Sequence, residues 1–205
     1  MECRDRRADQ SPRFGGVRLV LTADFPFSPD GKRVAFGSYN HMIHVVVCDD
    51  GTLTLAPILC RDKVRVVQYS ANGAKLVAAA RTLCIFDADS GNPIFTDRGG
   101  MEDWLALVWT GDGSQPIAAK RATVVIHDVA SGERVRTWDA AAYCYWPISP
   151  HINSLALSPN GKYLAIQMAI SETKLVTIAD VATGQSVASF RHEKSARQPT
   201  LRGAH

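Results

Sequence analysis

The stretch "LALSPNGKYLAI" (residues 155–166) alternates apolar positions, breaks at Ser-Pro-Asn-Gly, and turns apolar again. Each residue of the break has a physical job. Ser158 can bond its own backbone, Pro159 presets φ at about −65°, Asn160 bends readily, and Gly161 accepts the positive φ that ends a tight turn. One such stretch predicts a hairpin. The chain carries three more.

Gly31, Gly73, Gly113 and Gly161 stand 42, 40 and 48 residues apart. Asp30, Asn72, Asp112 or Asn160 precedes them, and Ser28, Ser70, Thr110 or Ser158 opens each turn. Before the turn come Phe27, Tyr69, Trp109 and Leu157, with Phe25, Val67, Leu107 and Leu155 two positions earlier. A two-residue step keeps both on one face of a strand. A second series follows, with Asp87, Asp128 and Asp180 each four residues ahead of a glycine in "DADSG", "DVASG" and "DVATG". The β-rich runs "TLCIF", "TVVIH" and "KLVTIA" lead into them, whereas the first unit reads "HVVVCDDG" with Val47 in the aspartate slot. Each unit thus supplies four short strands in about 40 residues, the period of a propeller blade. With no long 3.6-residue apolar pattern, the fold class is all-β, made of blades of four antiparallel strands.

These motifs carry a family resemblance over residues 24–190. "FSPDGKRVAFGS", "YSANGAKLVAAA", "WTGDG" and "LSPNGKYLAI", together with the three Asp-to-Gly turns, resemble degenerate, fungal-type WD repeats (WD40). Such arrays often follow a nucleotide-binding module, and no G-x-x-x-x-G-K-S/T loop is present here. The namesake Trp-Asp pair reads Phe86-Asp87, His127-Asp128 and Ala179-Asp180, and no Gly-His opens a unit. The family's buried Asp-His-Ser/Thr-Trp network is therefore not expected here. The resemblance implies about four blades, at residues 24–60, 61–98, 103–139 and 151–190, within a propeller region of 17–190. Four is short of the family's usual six to eight, so an incomplete or open ring is expected. "VRLVL" (residues 17–21) then matches the outer strand of a preceding blade.

Composition bounds the function classes. Of 205 residues, 46% are hydrophobic and 21% charged, which suits one soluble domain. No apolar run is long enough to span a bilayer, and the charged N-terminus does not look like a secretory signal. Cys3, Cys48, Cys60, Cys84 and Cys144 are unpatterned, so reduced thiols and a cytoplasmic or nuclear location are expected. The net charge of +3 comes from the ends, residues 1–13 and 191–205. Both terminal segments (1–16 and 191–205) read as flexible basic tails, and a nearly neutral body makes nucleic acid an unlikely partner.

The search for chemistry returns little. In "HMIH", His41 and His44 lie three apart and so point to opposite faces of a strand, where they cannot chelate one ion. His127 reads as a packed strand residue bonding Asp128 or a backbone group. Asp49-Asp50, Asp87 with Asp89, and Glu102-Asp103 all fall in turns, where Asp serves the backbone. No nucleophile elbow occurs. Neither catalytic residues, nor cofactors, nor metal ligands are assigned. Gly31, Gly73, Gly113, Gly161, Asp87, Asp128 and Asp180 are structural turn residues.

The long connection "DAAAYCYWPISPH" (residues 139–151) is the unusual segment. Its Tyr143, Tyr145 and Trp146 either anchor a partner, as exposed aromatics often do, or cover the joint between blades three and four. The resulting expectation is a protein–protein interaction scaffold without activity of its own, binding a protein or peptide. The alternative is a fragment of a lactonase- or quinoprotein-like propeller enzyme. The almost wholly apolar innermost strands ("DFPF", "VRVVQY", "LALVW", "NSLAL") disfavour it, since such enzymes resemble rings with acids or histidines converging on the channel. A short array bares an apolar face at each end, so self-association, or a larger chain completing the ring, is also expected.

Overall fold

A computed structural model describes residues 13–14, 17–18, 25–38, 40–79, 81–97, 104–143, 150–170 and 173–192. Within them the chain forms four antiparallel sheets in sequence order, arranged as an open, four-blade propeller-like array. Blade 2 pairs Val66–Tyr69, Lys75–Ala79, Leu83–Asp87 and Pro93–Asp97. Blade 3 pairs Trp104–Trp109, Pro116–Lys120, Thr123–His127 and Arg134–Asp139. Blade 4 pairs His151–Leu157, Tyr163–Ile170, Thr173–Asp180 and Ser186–His192.

Blade 1 departs from the expected four strands. Its sheet holds three, Arg33–Gly37, Met42–Val47 and the two-residue Ile58–Leu59, with the innermost strand reduced to a bridge between Phe27 and Val34. Proline explains both losses. Pro26 and Pro57 lack the N–H that a ladder needs and sit where the pairing stops.

A second departure lies upstream. Val17–Arg18 does not extend a blade among the described residues; it pairs with Arg13–Phe14, inside the segment expected to be a tail. Near neighbours close a loop at small entropic cost, whereas the outer edge of a distant blade is a costlier partner. The rest of the 17–21 run lies outside the described residues.

The core sits between blades, and one alternation builds it. In Lys75–Ala79 and Leu83–Asp87, Leu76, Ala78, Cys84 and Phe86 face blade 1, where they meet Ala35, Ile43 and Val45. The intervening Val77, Ala79, Leu83 and Ile85 face blade 3, against Trp104, Leu107 and Val125. Ile117, Ala119, Val124 and Ile126 then face blade 4, against Leu164, Ile166 and Met168. Because successive side chains point to opposite faces, each middle strand feeds two joints at once.

The two ends differ. On the leading face of blade 1, Phe36, His44 and Val46 are 5%, 5% and 6% exposed, so this face is shielded within the chain rather than bare as expected. Val176 and Ile178, on the trailing face of blade 4, remain half-buried.

Candidate functional site

The recurrent turns are hydroxyl-clamped. In each, the glycine N–H donates to the carbonyl of the opening Ser or Thr (Gly31 to Ser28 2.8 Å, Gly73 to Ser70 2.8 Å, Gly113 to Thr110 2.9 Å, Gly161 to Ser158 2.8 Å). The opening hydroxyl takes the N–H five residues on, from Arg33, Lys75, Gln115 or Tyr163 at 2.9–3.0 Å. It also donates to the Asp or Asn two positions on, at 2.7 Å for Ser70 to Asn72 and 2.6 Å for Thr110 to Asp112. The four glycines have φ of 68–73°, a region that L side chains pay to enter. The Thr110 hydroxyl, then the Ser114 N–H, hold the Asp112 carboxyl down at about 2.

Asp87, Asp128 and Asp180 cap the second turn of blades 2, 3 and 4. Each carboxylate accepts both the N–H and the hydroxyl three residues on: Ser90 at 2.8 and 2.8 Å, Ser131 at 2.8 and 3.0 Å, Thr183 at 3.0 and 3.2 Å. Those backbone bonds first, and the hydroxyls with them, lower all three carboxyls below the ordinary value. In blade 1, Val47 keeps the backbone bond to Gly51 (2.9 Å), while Asp50 accepts from Thr52 instead. These carboxylates are engaged by their own turns, not aimed at a shared point.

The joint between blades 2 and 3 is locked by a carboxylate bonded to a buried histidine and a partly exposed arginine. Asp97, ending the last strand of blade 2, accepts from His127 Nε2 at 2.7 Å and from Arg134 Nε and Nη2 at 2.8 and 2.9 Å. His127 is fully buried, edge-on to Trp104 and tilted against Phe95. Its partner is thus Asp97, 30 residues back, and not Asp128 or a backbone group as expected. Burial pushes the imidazole pKa down and outweighs the raising effect of Asp97. With Nδ1 buried and unpartnered, the fitting species is the neutral tautomer donating from Nε2. No local sequence signal marks this pair, because only blade packing brings Asp97 to His127.

The remaining histidines are separate. His41 sits in a turn with φ of 67° and contacts the Arg61 carbonyl through Nδ1 at 3.1 Å. His44 stacks on Phe36 with ring centroids 5.2 Å apart, and desolvation lowers its pKa. Among the described residues, no group of three or more His, Cys, Asp or Glu is placed to hold a metal ion.

The long connection begins as a 3-10 turn, Ala140–Tyr143, with Ala140 buried under blade 3. Tyr145 and Trp146 lie outside the described residues, as does the side chain of Tyr143, and Pro150 is buried where the chain re-enters blade 4. A cavity of about 420 Å³ opens at the outer rim between blades 1 and 2, beside the shortened Ile58–Leu59 strand. Cys60 and Cys84 both line it, and burial pushes the Cys60 thiol up to about 12, which keeps it protonated and unreactive. No helix among the described residues is long and apolar enough to cross a membrane. No protein-family model matches the chain, and no curated protein matches it either.

Proposed function

We propose that the chain is a non-catalytic binding platform of the WD-repeat kind, presenting loops of a rigid blade array to a protein or peptide partner. One observation carries this reading: the polar groups serve the scaffold. One oxygen of each turn carboxylate is held by the N–H and hydroxyl of its own turn, and the Asp97–His127–Arg134 lock joins two blades. The connection between blades 3 and 4, residues 139–151, carries Tyr143, Tyr145 and Trp146. Aromatic anchors of this type supply most of the energy in many protein interfaces. The thiols of Cys48, Cys60 and Cys84 are free, which agrees with a cytoplasmic or nuclear setting.

Affinity capture with the purified chain, beside a Trp146→Ala variant of matched thermal stability, tests the proposal. A partner retained by the first and lost by the second supports it. A loss of about 3–5 kcal/mol in unfolding free energy would show instead that Trp146 is a buried joint residue. Stoichiometric metal in the purified protein would sink the non-catalytic reading.

A further inference from the structure

Each blade reaches across to the second turn of the next. A Cβ built on Gly91 of blade 2 would lie 3.2 Å from Ile58 and Leu55 of blade 1. On Gly132 of blade 3 it would lie 3.2 Å from Phe95, and on Gly184 of blade 4, 3.2 Å from Trp138. Strand register places Ile58, Asp97, Trp138 and Phe190 in one column, opposite Ile43, Leu83, Val124 and Val176. The first three are engaged, Ile58 and Trp138 on glycine turns and Asp97 on His127 and Arg134. Phe190 is 63% exposed.

The receiving side shows the converse. Gly51 is the matching turn glycine of blade 1, and a Cβ there meets nothing within 4 Å. Three residues before this glycine, the later blades place Ala88, Val129 and Val181, all packed into blade joints. Blade 1 places Cys48 there, and Cys48 is exposed. The array thus ends in an unseated aromatic knob and begins with an unfilled socket.

We propose that blade 4 of one copy docks on blade 1 of a second copy, seating Phe190 against Gly51 beside Cys48. The contact continues the interface already repeated three times within the chain. Made twice, it closes two four-blade arcs into an eight-blade ring with two-fold symmetry. Docking covers the half-buried Val176 and Ile178, and blade 4 takes the place of whatever shields Phe36 and His44 in the single chain. Association of two copies is bimolecular and so concentration-dependent. The proposal is independent of the binding-platform reading, which concerns residues 139–151.

Light scattering after size exclusion of the full chain, over a range of concentrations, tests it. The expected mass is twice 22.3 kDa, with Phe190→Glu returning the monomer. Alkylation of Cys48, followed on its own peptide by mass spectrometry, should slow as the dimer forms. Mild oxidation of Phe190→Cys with diamide should join position 190 of one copy to Cys48 of the other. Four results would overturn the proposal: a monomer at every concentration, a dimer indifferent to Phe190→Glu, a 190-to-48 link within one chain, or an open-ended ladder. If Phe190→Glu fails to fold, Cys48 protection in the unaltered chain decides.

Discussion

Blade 2 and blade 4 are built from the same repeat and differ in their neighbours. The middle strands of blade 2 read KLVAA and LCIFD, and every position is buried except the first of one and the last of the other. In blade 4, TKLVTIAD alternates, with Leu175, Thr177 and Ala179 buried and Val176 and Ile178 half-buried. A sheet covered on both faces carries continuous apolar strands; one covered on a single face admits Lys174 and Gln167 on the other. Position in the array therefore shows in composition. The lesson is that burial here belongs to joints rather than to blades.

The sharpest way to break that comparison uses one column. Ile85 and Ile178 each stand two residues before the turn aspartate, Asp87 or Asp180, but Ile85 is fully buried and Ile178 is not. Ile85→Ala should cost about 4 kcal/mol in urea unfolding, and Ile178→Ala about 1 kcal/mol at low protein concentration. Equal losses would mean that the trailing face of blade 4 is as well covered as blade 2.

The column of Asp97 and Phe190 comes next. Asp97→Ala leaves His127 without its acceptor in a buried joint and should cost roughly 3 kcal/mol. Arg134 is 46% exposed, so Arg134→Ala should lose less than about 1 kcal/mol. In the monomer, Phe190→Ala should be nearly silent. A costly Phe190→Ala at high dilution would place Phe190 inside an intrachain joint.

Turn glycines give a smaller contrast. Gly161 has φ of 70° with open space around its missing Cβ, whereas the same φ at Gly184 is combined with Trp138 at 3.2 Å. Gly161→Ala should cost about 1 kcal/mol and Gly184→Ala about 2 kcal/mol, read from thermal unfolding. A reversed order would remove Trp138 from the joint.

The smallest effect is a pH slope. His127 and His44 are both lowered from 6.5 by burial, so the unfolded chain binds protons that the folded chain refuses. The stability they contribute is complete above pH 6.5 and declines as the pH falls below it, toward the folded pKa values. Blade 4 has Thr177 and Ala179 in the positions of His44 and His127. His127→Gln should flatten the slope between pH 6.5 and 5; an unchanged slope would assign it elsewhere. A separate loss follows below 3.8, where Asp87, Asp112, Asp128 and Asp180 must take protons against their turn bonds.

Much of the fold was readable along the chain because its strongest signals are local. The Ser-x-Asp/Asn-Gly columns specify φ and hydrogen bonds within six residues, and strand alternation needs only neighbours two apart. Blade count, strand order and the glycine turns follow from those signals alone. The joints do not. The Asp97–His127 bond spans 30 residues and two sheets, and nothing in "PIFTD" or "TVVIH" announces it. Among the described residues, blade 1 keeps only a bridge at Phe27 on its inner side and Ile58–Leu59 with a bridge at Leu53 on its outer side, the ladders breaking at Pro26 and Pro57, which lack the donor. Val17–Arg18 chose Arg13–Phe14 over a distant sheet, and the leading face of blade 1 closed while the trailing face of blade 4 stayed half-open. Turns are short-range covalent and hydrogen-bond chemistry, so residues announce them in order. Which face meets which, and which is left without a neighbour, depends on contacts between segments tens of residues apart, and those exist only once the blades stand side by side.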